Sequence, residues 1–173
     1  MAEQLLYKGK IYKRRKGKWI DEENIIVSMA LQNDLNREFA ENLVPEELSR
    51  DDCVMYGDSF KNTNSLGLAI KFYEEAFEKA DKKSMAYILP RITSCYRKCG
   101  EPQKAIDVLT YASSTFGSRM VTPALLISAA AAYCDLEDYV RAKKCCDRAY
   151  GALGGRYNEE LSLVYKRIEK AVK

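Results

Sequence analysis

The stretch YRKCGEPQKAIDVLTYA, residues 96–112, contains a tight turn, CGEP, between the end of one helical pattern and the start of a second. Glycine followed closely by proline is typical of the boundary between two helices. Alanine recurs in the second helix at Ala105 and Ala112. Because alanine is small, these positions allow another helix to approach closely. A hairpin of this kind defines an architecture only if it is repeated along the chain.

The same spacing of small, aromatic and alanine residues occurs three times. Counted from the first position of each copy, an aromatic residue stands at +3, alanine at +12, an apolar residue at +16 and alanine again at +19. The copies begin at steps of 36 and 37 residues. A fixed period of this length predicts a helical-repeat fold. The positions are Gly57, Phe60, Ala69, Tyr73 and Ala76; Thr93, Tyr96, Ala105, Leu109 and Ala112; and Ala130, Tyr133, Ala142, Cys146 and Ala149.

This pattern resembles the tetratricopeptide repeat family over roughly residues 49–153. The family has about 34 residues per repeat, each a helical hairpin, and the slightly longer period here places extra residues in the connections. The resemblance implies an all-α fold in which hairpins stack into an α-solenoid. It also implies a protein-binding adaptor or scaffold rather than an enzyme.

The sequence outside the repeats predicts further segments. LLYKGKIYKRRKGKWID, residues 5–21, alternates apolar and basic residues around K-G turns, which predicts a small β-hairpin or two short strands. Apolar residues then recur every fourth position, which predicts an amphipathic helix packed on the first repeat, and an apolar stripe in residues 158–173 predicts a capping helix. We therefore expect a basic hairpin at 1–21, a helix and link at 22–48, three repeats at 49–155 and a capping helix at 156–173.

Helix boundaries are indicated by individual residues. Ser49 with Asp52, and Thr122 followed by proline, are typical of helix N-termini. Pro90 removes a backbone donor, so we expect the helix that starts near Ser84 to bend at Pro90 or to begin only there.

Positive charge is concentrated in the hairpin. Residues 8–18 contain seven lysines and arginines and no acidic residue, whereas the rest of the chain has 21 basic and 25 acidic residues. Cations beside aromatic rings suit nucleic-acid binding, and the same cations suit an acidic protein partner. KRRK is also compatible with nuclear import if the source is eukaryotic. The candidate contacts are Lys10, Lys13, Arg14, Arg15, Lys16, Lys18 and Trp19.

The family resemblance also implies a groove lined by the first helix of each repeat. Its predicted centre is basic with one aromatic residue, and one flank is apolar. That composition predicts a partner segment that is acidic and has an apolar anchor. The candidate groove residues are Asp58, Lys61, Tyr87, Arg91, Ser94, Arg97, Lys98, Ile127 and Ala131.

Sites for chemistry are not expected in this sequence. It contains no histidine, no C-x-x-C spacing and no phosphate-binding glycine loop, so we expect no catalytic site, cofactor or metal. The six cysteines are expected to be reduced and mostly buried. No apolar stretch approaches the ~20 residues that span a bilayer. We therefore expect a cytoplasmic protein without a membrane partner, and the oligomeric state is open.

Overall fold

The computed structural model describes residues 3–117 and 121–172, so residues 1, 2 and 173, at the ends of two predicted segments, lie outside it. A three-stranded sheet is followed by eight α-helices in this part of the chain, with a short 3-10 helix at Pro45–Glu47. The elements are β1 (Gln4–Tyr7), β2 (Lys10–Arg15), β3 (Lys18–Ile20), α1 (Met29–Ala40), α2 (Arg50–Asn62), α3 (Leu66–Glu78), α4 (Lys82–Lys98), α5 (Pro102–Phe116), α6 (Pro123–Asp135), α7 (Tyr139–Ala152) and α8 (Glu159–Ala171).

Two compact units divide the chain within α3. The N-terminal unit is Met1–Glu75 and the C-terminal unit is Ala76–Lys173. The first contains the sheet, α1, α2 and most of α3, and the second contains α4 to α8. Each unit has its own core.

The N-terminal sheet is antiparallel, with strand order β1-β2-β3. Its connections are Lys8–Gly9 and Lys16–Gly17, and all four residues have positive φ. Two successive residues with positive φ are typical of the tight turn whose twist matches antiparallel strands. Both turns were therefore predicted correctly, but the second one leads into a third strand, so the expected hairpin is a three-stranded sheet.

Helix α1 is the predicted amphipathic helix, and it packs on α2 as expected. Leu35 is fully buried at the centre of its apolar face, whereas Leu43 lies beyond the end of the helix. Ser28 and Ser49 cap α1 and α2, since each side chain accepts a hydrogen bond from a backbone N–H of the first turn. The predicted cap at Ser49 is thus confirmed.

The three copies of the repeat form the helix pairs α2–α3, α4–α5 and α6–α7, and the predicted turns separate the helices of each pair. Fourteen of the fifteen repeat positions are buried, and Tyr133 is half-buried. In the first copy Gly57 lies against the Tyr73 ring, so close that a Cβ at Gly57 would come within 2.6 Å of Tyr73 Cε1. Only glycine permits this approach without movement of the ring.

Pro90 lies inside α4 without ending it. The helix runs from Lys82 to Lys98 and starts at Asp81, where Asp81 and Ser84 form a reciprocal capping box. The expectation that a helix begins at Pro90 is therefore wrong, because the cap at Asp81 starts the helix two turns earlier. A bend at Pro90 stays a prediction.

Helix α6 is the centre of the C-terminal unit, and it is buried on most of its circumference. Its N-terminus is capped by Thr122, as predicted. Leu161, Val164 and Ile168 of α8 join α6 and α7 in one apolar cluster. Helix α8 is thus the predicted capping helix, although Val172, expected on its apolar stripe, lies beyond the helix and is exposed.

Candidate partner-binding surface

Tyr87 and Arg91 lie one turn apart on α4. Nη1 of Arg91 donates a hydrogen bond of 2.7 Å to the backbone oxygen of Tyr87. The Arg91 guanidinium carbon also lies 5.7 Å from the centroid of the Tyr87 ring, which is a cation–π distance. Tyr87 is 36% exposed and Arg91 is half-buried, so this pair places an aromatic ring and a guanidinium group at the surface of α4.

Asp135, the last residue of α6, links three helices through two arginines. Its Oδ2 accepts a bond of 2.5 Å from Arg97 Nε of α4, and its Oδ1 accepts one of 2.7 Å from Arg167 Nη2 of α8. Burial alone lowers the pKa of Arg167, but the hydrogen bond and charge of Asp135 outweigh it, so the net pKa is raised. The ends of α4, α6 and α8 therefore share one ionic network that holds two guanidinium groups side by side.

Two of the residues predicted to line the groove are buried in the core instead. Ile127 is 4% exposed and Ala131 is 5% exposed, and both belong to the apolar cluster of α6, α7 and α8. They cannot contact a partner because α8 completes the core around α6. The other candidates on α4 reach the surface, with Ser94 half-buried and Lys98 exposed.

Asp58 and Lys61, the remaining groove candidates, lie on α2 in the N-terminal unit, and both are half-buried. Asp58 has a structural partner, since the Tyr73 hydroxyl donates a hydrogen bond of 2.6 Å to its Oδ1. This bond fixes the ring that lies against Gly57. Asp58 therefore contributes to packing within the first repeat.

A cavity of about 540 Å³ in the N-terminal unit was not predicted from the sequence. The β2–β3 turn, the segment before α1, and the helices α1 and α2 line it. Exposed apolar residues, Ile26 and Met29, stand at its edge, and the buried amides of Gln32 and Asn36 lie at its base. The apolar run in residues 25–29 was the one signal in the sequence for this feature.

Trp19 anchors the sheet and cannot contact nucleic acid, so its assignment as a contact residue is wrong. It is fully buried, and its indole Nε1 donates a bond of 2.7 Å to Asn36 Oδ1. Its backbone N–H and C=O are both bonded to the Gln32 side chain, and Asn36 Nδ2 in turn donates a hydrogen bond to Ser59 Oγ. A buried aromatic with all polar groups paired stabilises the junction of the sheet with α1 and α2.

Arg14 is likewise turned inward, because its side chain is only 10% exposed. It donates hydrogen bonds to Glu3 at 2.9 Å and to the Tyr56 hydroxyl at 2.5 Å, so it is not available for a phosphate. Burial raises the pKa of Tyr56 to about 12, although the Arg14 charge opposes that shift. The inner face of the sheet therefore has a structural role.

The other hairpin candidates remain exposed, namely Lys10, Lys13, Arg15, Lys16 and Lys18. Tyr12, which would have supplied a second ring for base stacking, is 7% exposed. Of the three rings in the basic stretch, Tyr7, Tyr12 and Trp19, two are thus buried, and the nucleic-acid hypothesis keeps mainly its cations for phosphate contacts. Nucleic-acid binding stays a prediction.

All six cysteines are free thiols, and four of them are buried. Cys99 is exposed and Cys145 is partly exposed. Burial raises the pKa of the Cys134 and Cys145 thiols, and it raises that of Cys146 to about 12. These three thiols are protonated at neutral pH and are poor nucleophiles. Within residues 3–117 and 121–172, no three potential ligands of the His, Cys, Asp or Glu type are grouped to hold a metal ion.

The fold defined by these elements is a tetratricopeptide-like helical repeat with a small N-terminal sheet. Among solved structures, the chain is similar to the crystal structure of MamA, with a TM-score of 0.53 and 14% sequence identity. The match covers 86% of this chain and 96% of that one, and at this identity it shows the fold alone. No protein-family model and no curated protein matches the sequence. No helix in the described residues has the length and apolarity needed to cross a membrane.

Proposed function

We propose that this chain is a non-catalytic adaptor that binds an acidic segment of a partner protein on the surface of α4, α6 and α8. The observation that carries the proposal is the charge of these helices. Helix α4 contains five basic residues and no acidic one, the single acidic residue of α6, Asp135, is bound by two arginines, and α8 has three basic and three acidic residues. This surface has an excess of positive charge that a partner can neutralise.

The geometry of the arginines supports recognition of carboxylates. A guanidinium group has five N–H donors, so Arg97 and Arg167 can each bind a partner carboxylate while they hold Asp135. Their contacts with Asp135 also restrict both side chains before binding, which reduces the entropy lost on association. Tyr87 lies on the same helix as Arg97 and offers an exposed ring to an apolar residue of the partner.

Selection of displayed random peptides on the immobilised protein tests this proposal. We expect selected peptides to be rich in aspartate and glutamate, with one aromatic or aliphatic residue. Their affinity, measured by fluorescence anisotropy, should fall at least about tenfold for the variant Tyr87→Ala with Arg91→Glu. The affinity should also fall as salt is added.

The matched control is Lys144→Glu, which makes the same kind of charge change at an exposed residue of α7. Affinity for that variant should stay within about twofold of the wild-type value, because exposed charges far from a contact are screened. Equal losses for the two variants would mean that net charge, rather than this surface, drives binding. Selected peptides without acidic residues would contradict the proposal.

A further inference from the structure

The face of the sheet that points away from α1, here called the outer sheet face, has its own composition. By strand register it carries Gln4, Leu6, Ile11, Lys13, Arg15 and Lys18, all exposed, together with Ile20, which is buried. Lysines 8 and 16 extend it at the two turns. Three elements of the chain thus contribute to one surface that contains five cations and two exposed aliphatic side chains.

Arg15 and Lys18 are direct cross-strand partners on this face. Like charges in directly opposite positions destabilise a sheet. By contrast, Arg14 on the inner face has an acidic partner, Glu3. Repulsion between the outer cations therefore destabilises the isolated sheet, and an anionic surface placed over them would reduce that repulsion.

Leu6 and Ile11 are also direct cross-strand partners, and they are 69% and 45% exposed. An aliphatic pair left in water loses the stabilisation that burial would give. The pair lies on the same face as the cations, with Lys13 two residues along β2 from Ile11. A partner that satisfies the whole face must offer both negative charge and an apolar interior.

We propose that the outer sheet face binds the surface of an anionic lipid membrane. Anionic headgroups attract clusters of lysine and arginine, and the acyl region accepts shallow aliphatic side chains. Nucleic acid also supplies the charge, but in a duplex the base faces are stacked on one another and the phosphates lie outside, so Leu6 and Ile11 would be buried less than in the acyl region of a membrane. This contact is peripheral and replaces the expectation that no membrane is a partner.

Flotation of the full chain with lipid vesicles tests the proposal. We expect binding to vesicles that contain phosphatidylserine and none to vesicles of phosphatidylcholine alone. The variant Arg15→Ser with Lys18→Ser should bind about thirtyfold more weakly, and Leu6→Ser with Ile11→Ser at least about tenfold more weakly. Fluorescence of Trp19, the single tryptophan, verifies that each variant retains the docked sheet.

Two matched control variants distinguish vesicle binding by the outer sheet face from nonspecific adsorption of the protein. Val140→Ser with Leu163→Ser removes two exposed aliphatic side chains from α7 and α8, and Lys144→Ser with Lys166→Ser removes two exposed cations from the same helices. Vesicle binding should be unchanged in both. Failure of the wild-type chain to bind phosphatidylserine vesicles overturns the proposal. It is also overturned if the chain binds duplex or single-stranded nucleic acid more tightly than vesicles and loss of Leu6 and Ile11 has no effect on either.

Discussion

The N-terminal unit fills its core largely with aromatic rings, whereas the C-terminal unit fills its core largely with aliphatic side chains, alanine and cysteine. In the first, Tyr56 and Phe60 both contact the Phe72 ring, with centroids 5.9 and 5.2 Å away. In the second, Ala130 and Cys146 are buried at the repeat positions that Gly57 and Tyr73 occupy in the first copy. One repeat pattern therefore accommodates two kinds of packing, provided that the facing side chains compensate in volume.

Compensation is most direct at the position where the two helices of a hairpin approach. Glycine on the first helix faces tyrosine in the first copy, Gly57 against Tyr73, while the third copy has Ala130 and Cys146. Rings also require polar partners, because a buried hydroxyl or indole N–H must be hydrogen-bonded. The N-terminal unit is therefore the more sensitive to the loss of one side chain.

Trp19→Ala should have the largest effect on stability. Removal of a fully buried indole costs about 4 kcal/mol of unfolding free energy, and it also leaves Asn36 Oδ1 without its donor. Urea denaturation followed by circular dichroism measures the change. As a control, Tyr157→Ala removes an exposed ring of the C-terminal unit and should cost less than about 1 kcal/mol. Similar losses for both would mean that the ring at Trp19 does not hold the sheet in place.

Gly57→Ala should destabilise the protein by about 2 kcal/mol, because the added methyl group overlaps the buried Tyr73 ring. The cost should fall below about 1 kcal/mol when Tyr73 is replaced by leucine, the residue of the second copy. Gly67→Ala is the control, since Gly67 lies in α3 with open space around it. That change should be neutral or stabilising, by up to about 1 kcal/mol. Denaturation of Gly57→Ala, Tyr73→Leu, the double variant and Gly67→Ala measures these unfolding free energies. An unchanged value for Gly57→Ala would contradict the idea that residues 57 and 73 compensate each other in volume.

The stability of the N-terminal unit should decrease in alkali through Tyr56. Burial raises its folded pKa to about 12 from an ordinary value near 10, so the folded state retains the proton more strongly. The stability that protonated Tyr56 contributes is complete below pH 10 and is lost as the pH rises from about 10 to about 12, with a limit of about 3 kcal/mol. The difference between wild type and Tyr56→Phe should narrow over that range. A constant difference would show that the Tyr56 hydroxyl titrates normally.

Asp135→Asn should have the smallest effect, a loss of at most about 1 kcal/mol. Asp135 joins two arginines, but all three side chains are partly exposed, and such pairs contribute little in water. The loss should shrink further in high salt, which thermal unfolding at two ionic strengths can measure. Asp107→Asn on α5, whose carboxylate accepts only an uncharged amide bond from Gln103 in the structure, is a suitable control.

Local features of the fold could be predicted from the sequence because local residues determine them. The turn at residues 99–102, the cap at Ser49 and the period of the alanines all depend on neighbours in the chain or on helical spacing. The two K-G turns of the sheet belong to the same class. The helical pairs were accordingly predicted at their correct positions.

The wrong predictions concern residues that were expected to be exposed but are covered by elements distant in the sequence. Trp19 lies in a basic stretch, and nothing local indicates that Asn36 will bind its indole. Ile127 and Ala131 did carry a signal, because the run LLISAAAAY, residues 125–133, is apolar on every side of the helix. A helix of that kind has most of its surface buried, so Ile127 and Ala131 were poor candidates for residues exposed in a groove. The charged surface around Asp135 was missed because its two arginines are 38 and 32 residues away.

The burial of most of the α6 surface also matters for folding during synthesis. During synthesis α6 leaves the ribosome before α8, and for that interval the side of α6 that Leu161, Val164 and Ile168 will cover has no neighbour from the same unit. An apolar surface exposed in this way is a site for aggregation or for a chaperone. The exposure of this apolar surface therefore ends only when α8 has been made and packs on α6.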